Sequence, residues 1–259
     1  MPRNLRRFLL SVLILMSSAF GASKAHARPN SRVTFKVLYN FTGGSDGCCI
    51  YAGLNRNSDG SLYGVTYSDD NLTGDGVLFK LTPNQWGYTF HVVQNFSAEK
   101  GRECRAAPTR DNRGNLFGVC WGGGAGDRGT LWEYSRSGKF TVLHSFTGPG
   151  DGQEPEDSVA LDRAGNIYGT TYTYGPGGSG TFWKYSLTSH TFTLLHSFAD
   201  GDDGGLLPTG PRIDKETGMI WGTTETGPNC YYCGQGTVWN YDPSSGTFTT
   251  VLNLDSTDI

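Results

Sequence analysis

The residues best equipped for chemistry are six cysteines, Cys48, Cys49, Cys104, Cys120, Cys230 and Cys233, and acids scattered among glycine-rich segments. Oxidised, such cysteines form disulfides; as thiolates, two pairs can hold a tetrahedral zinc. The separation of the pairs is unlike a zinc ribbon, so disulfides are expected and no metal site is assigned. The acids are Asp46, Asp75, Glu103, Asp127, Asp151, Glu154, Asp202, Asp203 and Glu225. A glycan hydrolase or lyase needs two carboxylates at a defined separation. No Ser-His-Asp or HExxH pattern designates catalytic residues. The clusters "GGGAG" and "GPGGSG" open no helix and are not read as phosphate cradles, "DGDDGG" lacks EF-hand spacing, and no cofactor is expected.

These residues stand between words that recur. Gly64, Gly118, Gly169 and Gly222, spaced 54, 51 and 53 residues apart, each sit in a word such as "LYGVTY" or "IYGTTY". A second word follows ("GVLFKL", "GTLWEY", "GTFWKY", "GTVWNY"), then a third ("FHVVQNF", "FTVLHSF", "FTLLHSF", "FTTVLNL"). Each is short, aromatic and β-branched, and bounded by Gly, Asp, Asn or Pro, as strands are. With a weaker extended piece before each turn, every unit reads as a four-stranded antiparallel meander, A to D. Such a meander cannot bury both faces alone, so the expected fold is all-β, a propeller-like array of four repeats of about fifty residues. The units run over about 42–96, 97–146, 147–198 and 199–254, and an extra D-like strand, "VTFKVLYNF", is expected over 33–41. That surplus strand offers a route to self-association.

The first 27 residues combine Arg3, Arg6 and Arg7, an apolar run from Phe8 to Met16, and Ala25-His26-Ala27, the pattern of a cleaved secretory leader. Its removal takes four basic residues and moves the net charge from −3 to −7. A secreted, periplasmic or extracellular location is expected. Nucleic acid is not an expected partner, and no membrane span is expected after cleavage.

The string G-N-[LI]-[YF]-G-T-T, a Gly-rich gap, G-T-[VFL]-[FW]-K and then F-T-V-L-H-S-F resembles the GloVer, or Gloeo/Verruco, tandem repeat. Unit three carries it best, with "GNIYGTTYTYGPGGSGTFWKYS" followed by "FTLLHSF". The resemblance covers about residues 33–254. It implies an exported, propeller-like protein and brings no catalytic residues with it.

The repeat is also a filter, because a residue recurring in phase is most simply a packing or turn residue. Tyr63, Phe117, Tyr168 and Trp221, and Phe79, Trp132, Trp183 and Trp239, are thereby assigned to the layers between blades. His144 and His196 share one strand position with Tyr39 and Gln94 and need not converge on a metal. Asp111 and Asp162 are read as acceptors for their own turns.

The meander places the D-to-A and B-to-C connections on one face, where nearly all off-register residues lie. Cys104 and Cys120 flank the A and B strands of unit two there and are expected to pair. If four units close a ring, Cys48 or Cys49 meets Cys230 or Cys233 at the seam. The candidate ligand-binding residues are Trp121, Tyr174, Tyr231, Tyr232 and Asp202, an aromatic and acidic surface suited to a polysaccharide or other surface polymer. Trp121 reads equally as a lid over the disulfide.

Overall fold

The computed structural model describes residues 34–68, 75–199, 201–206, 208–226 and 236–254. The compact body runs from Leu38 onward; residues 34–37 lie outside it and have no regular secondary structure. Among the described residues the body forms four sheets of four strands. The first holds β1 (Asn55–Arg56), β2 (Leu62–Val65), β3 (Val77–Asn84) and β4 (Gly87–Asn95). The second holds β5 (Thr109–Arg110), β6 (Leu116–Cys120), β7 (Thr130–Tyr134) and β8 (Phe140–Ser145). The third holds β9 (Ala160–Leu161), β10 (Asn166–Thr171), β11 (Thr181–Ser186) and β12 (Thr191–Ser197). The fourth holds β13 (Arg212–Ile213), β14 (Ile220–Thr224), β15 (Thr237–Asp242) and β16 (Thr247–Asn253). Every pairing is antiparallel and sequential, so each unit is the expected meander and the architecture is an all-β, propeller-like array.

The sheets repeat in detail. The third-to-fourth-strand register slips at the same place in each, between Leu78 and Phe79, Leu131 and Trp132, Phe182 and Trp183, and Val238 and Trp239. The slip increases twist and turns one aromatic ring inward. Phe79, Trp132, Trp183 and Trp239 are accordingly buried. Each lies over the glycine of its neighbouring strand; a Cβ on Gly169 would stand 2.2 Å from the Trp183 ring and one on Gly222 2.1 Å from that of Trp239. The period-fifty glycine is thus a packing requirement.

Successive sheets share cores. Val65, Leu78 and Phe96 meet Leu116 and Trp132; Phe117, Leu131 and Phe146 meet Ile167 and Trp183; Tyr168, Phe182 and Phe198 meet Ile220 and Trp239. No core cluster among the described residues joins the fourth sheet back to the first. Trp221, expected in a core layer, is 36% exposed for that reason, whereas its counterparts Phe117 and Tyr168 are buried.

The expected strand over 33–41 is not formed among its described residues. A D strand pairs with a third strand, and β3, β7, β11 and β15 are each already flanked on both sides. Leu38, Tyr39 and Phe41 instead pack their side chains on Phe79, Leu81 and Phe90. The leader lies outside the described residues, among which no helix is long and apolar enough to cross a membrane.

Candidate functional site

The D-to-A loop of each unit is bonded to the B-to-C loop of the same unit. The pairs are Cys48 with Ser68, Arg102 with Gly122, Gln153 with Thr173, and the Gly205 N–H with the Thr226 carbonyl. The approach demands a glycine one residue earlier: at Gly152, where φ is +86°, a Cβ would lie 2.1 Å from Thr171 Oγ1. The residues two further on, Cys49, Glu103 and Glu154, are held at φ of 59°, 55° and 60°, a left-handed conformation costing a non-glycine residue about 1 kcal/mol. The bent loops bring one repeat position from all four units, Tyr51, Arg105, Glu156 and Pro208, to a single cleft of 690 Å³. Tyr67, Tyr172 and Glu225 line it from the B-to-C side, with Asp157, Thr209 and Thr223 completing a polar wall.

Arg105 is the hub. Its guanidinium lies 2.9 Å from Glu156 and 3.6 Å from Glu103, stacks 4.0 Å from the Trp121 ring centroid and stands 5.3 Å from that of Tyr67. Burial pushes the guanidinium's pKa down, but the hydrogen bonds to Glu156 and Tyr67 outweigh it and the net shift is upward. Tyr67 donates to Glu103 at 2.8 Å, and its phenol is raised, first by burial and then by that bond. Tyr51 packs edge-on against Tyr67, 5.3 Å between centroids, and is 70% exposed. Nearby Glu154, not on the cleft lining, has its carboxyl pushed up by burial, against the pull of Arg105 and Arg128.

The expected Cys104–Cys120 disulfide is present, and both sulfurs are buried. It joins the residues immediately before Arg105 and Trp121, and so holds the stacked pair together. Cys48 is buried and Cys49 exposed; their expected partners Cys230 and Cys233 lie outside the described residues, as do the candidates Tyr231 and Tyr232.

Trp121 occupies the repeat position of Tyr67, Tyr172 and Glu225, 5.5 Å from the Tyr172 ring, but Arg105 covers one face and it does not line the cleft. Tyr174, 54% exposed, borders a separate hollow with Pro149 and Leu206, its ring 5.5 Å from the Arg128 guanidinium. Asp202 is exposed in the 201–204 turn, away from the cleft. Tyr51, Tyr67, Arg105 and Tyr172 were not singled out from sequence. Their signal was a variable position bracketed by repeated ones in each loop.

Three of the candidate acids are instead structural. Tyr39 Oη donates to Asp46 Oδ2 at 2.8 Å; His144 and His196 place Nε2 2.8 Å from Asp151 and Asp203. The same three rings stack on Phe90, Phe192 and Phe248, with centroids 4.2, 4.1 and 3.7 Å apart. For Asp151 burial is the largest influence and pushes its pKa up, but bonds from His144 and from the Thr147 N–H and hydroxyl together hold the carboxyl below the usual range. The histidines therefore bond to acids seven residues on, and no group of three or more metal-ligating side chains gathers among the described residues.

Solved structures share the fold. A GH74 enzyme of Niastella koreensis superposes with a TM-score of 0.51 at 16% identity, over 75% of this chain and 28% of that one. PorZ, a surface component of the type-IX secretion system of Porphyromonas gingivalis, gives 0.51 at 17% identity over 84% and 28%. A puromycin-hydrolysing peptidase of Mycobacterium tuberculosis gives 0.51 at 14% over 81% and 30%. The chain thus spans about a third or less of the length of these proteins. No curated protein matches it. The profile described as the Gloeobacter/Verrucomicrobia repeat matches residues 56–259, and the chain belongs to that repeat family.

Proposed function

We propose that this chain is an exported, non-catalytic glycan-binding protein whose ligand lies in the loop-face cleft. One observation carries the reading: equivalent loop positions from all four units converge on one open cleft, where Tyr51, Tyr67 and Tyr172 stand among Arg105, Glu156, Thr209 and Glu225. Aromatic rings with a polar tip suit a ligand that has both apolar ring faces and hydroxyls, and a few placed polar groups fix its orientation. The secretory-type leader and the buried disulfide support export to an oxidising compartment. A non-catalytic role is supported by the state of two cleft acids, since Glu156 is paired with Arg105 and Asp157 accepts the Gly210 N–H at 2.9 Å.

The test is a panel of neutral and charged polysaccharides presented to the protein and to its Tyr67→Ala and Tyr172→Ala variants. Retention and release of reducing or unsaturated ends are measured together. Retention weakened by about tenfold in either variant, without product, is expected; each lost aromatic platform removes about 1 kcal/mol or more of contact. Product formation by the unaltered protein would overturn the non-catalytic reading, and retention unchanged in both variants would remove the cleft from it.

A further inference from the structure

The repeat filter that leads to the cleft also marks residues at the opposite end of the strands. There the A–B turns of units two and three and the Leu187–Thr188 turn enclose a groove of 320 Å³. Three arginines line it, Arg110, Arg113 and Arg163. Arg113 is off-register: its position is Asp59 in unit one, Ala164 in unit three and Glu216 in unit four, whereas the position of Arg110 holds Arg56 in unit one and that of Arg163 holds Lys215 in unit four. Turn formation requires no arginine at 113, because the other units make the same turn without one.

The acids of the groove are already occupied. Asp111 Oδ1 accepts the backbone N–H groups of Arg113 and Asn115, and its Oδ2 accepts Asn115 Nδ2. Asp162 accepts from Ala164, Asn166 and the Tyr168 hydroxyl in the same manner. Glu133, which feels the charge of Asp111, has its carboxyl pushed up, by burial first. None of the three arginines makes an ion pair among the described residues, and Arg110 Nε is buried without a partner. Three guanidinium groups against the two carboxylates of Asp111 and Asp162 leave the groove with a net positive charge, which favours an entering anion.

We infer that this groove is a second binding site, which takes the anionic groups of an acidic polysaccharide through Arg110, Arg113 and Arg163. Guanidinium forks match carboxylate and sulfate oxygens bidentately. A glycan with about one charge per sugar fits a small groove on a molecule whose net charge after leader removal is −7. A duplex nucleic acid, far more densely charged, is repelled by the remaining surface. The site stands apart from the cleft, and neither reading needs the other.

The test measures binding of polygalacturonate, heparin and neutral dextran to the full chain and to Arg110→Ser/Arg163→Ser, over a salt series, with the thermal midpoint recorded for each. Binding of polygalacturonate or heparin that weakens with salt, and falls by about tenfold or more in the folded double variant, is the expected result. A preference between these two polymers distinguishes a uronate from a sulfate ligand. Tyr67→Ala should leave the polyanion signal unchanged. Polyanion binding that persists in the folded double variant, loss of it in Tyr67→Ala to the same extent, or no polyanion binding at low salt would each overturn the site. Equal binding of double-stranded DNA would overturn its assignment to a glycan.

Discussion

The junction between the first and second sheets is built differently from the two that follow. At the second and third junctions a histidine at the end of strand D stacks on the phenylalanine of the next sheet and bonds to an aspartate seven residues on. Residues 38–41 reproduce this at the first sheet, with Tyr39 and Asp46 in the same roles. The first-to-second junction has Gln94 and, in a loop one residue shorter, Lys100 before the loop glycine, and forms no such bond among the described residues. It carries the disulfide instead. In units three and four a threonine pair, Thr171 with Thr181 and Thr224 with Thr237, ties strand B to strand C. In unit two Cys120 takes the first threonine's place, and Thr130 donates to the Lys100 carbonyl at 3.1 Å. One repeat geometry thus tolerates two kinds of fastening, and a covalent bond appears where the ring stack and polar bond of the histidine position are missing.

Breaking the covalent fastening should have the largest effect. Cys104→Ala/Cys120→Ala removes a bridge spanning a separation of 16 residues and is expected to cost about 3 kcal/mol of unfolding free energy, read from denaturant titration. Cys104→Ala/Cys120→Thr restores the hydroxyl of the other units and should recover about 1 kcal/mol. The double alanine variant should also weaken glycan retention, since it frees Arg105 from Trp121. His144→Ala should cost about 1 to 3 kcal/mol, because it leaves the buried Asp151 carboxylate without one of its donors and removes a ring stack. Gln94→Ala, at the same repeat position, should change stability by less than about 0.5 kcal/mol.

Acid sharpens the same contrast. The Asp151 and Asp46 carboxyls are held below their ordinary range, so their contribution is complete above the unfolded value near about 3.9 and is lost as pH falls through the lower folded value. Stability should therefore decline below about pH 4, and Asp151→Asn should flatten that decline while lowering stability at pH 7. Lys100→Ala should leave the acid slope unchanged. Equal acid slopes for wild type and Asp151→Asn would show that other carboxylates control it.

Much of the fold was legible because the repeat states it four times. The glycine of each second strand, the inward aromatic of each third strand and the turn aspartates all recur in phase, and all proved to be packing or turn residues. The failures share one cause, which is that a repeated word implies a neighbour the word does not contain. The segment 33–41 matches a D strand in sequence, but its described residues form no strand and keep only the packing roles of Leu38, Tyr39 and Phe41. Trp221 is in phase with buried rings, yet no core cluster among the described residues covers it. The cleft was half legible. Its face followed from the meander, whereas Tyr51 and Arg105 depend on left-handed bends at Cys49 and Glu103 that no recurring word announces. Trp121 drew notice by its type, but Arg105 covers the face it was expected to offer.

The smallest expected effect is also the most direct test of the comparison. If the two fastenings are interchangeable, the missing polar contact can be built where Gln94 and Lys100 now stand. Phe140 occupies the repeat position of Phe192 and Phe248, so the ring a histidine would stack on is present. Gln94→His/Lys100→Asp should stabilise the protein by about 0.5 to 1 kcal/mol when the disulfide is intact. In the Cys104→Ala/Cys120→Ala background, where the sheet edges are less constrained, the gain should be at least as large. A double-mutant cycle separates the pair from its single changes, since histidine alone gains only the stack and aspartate alone adds an acid with no donor. A coupling energy near zero would mean that the disulfide holds this junction in a register the polar contact cannot use, and that the two fastenings are alternatives in sequence but not in geometry.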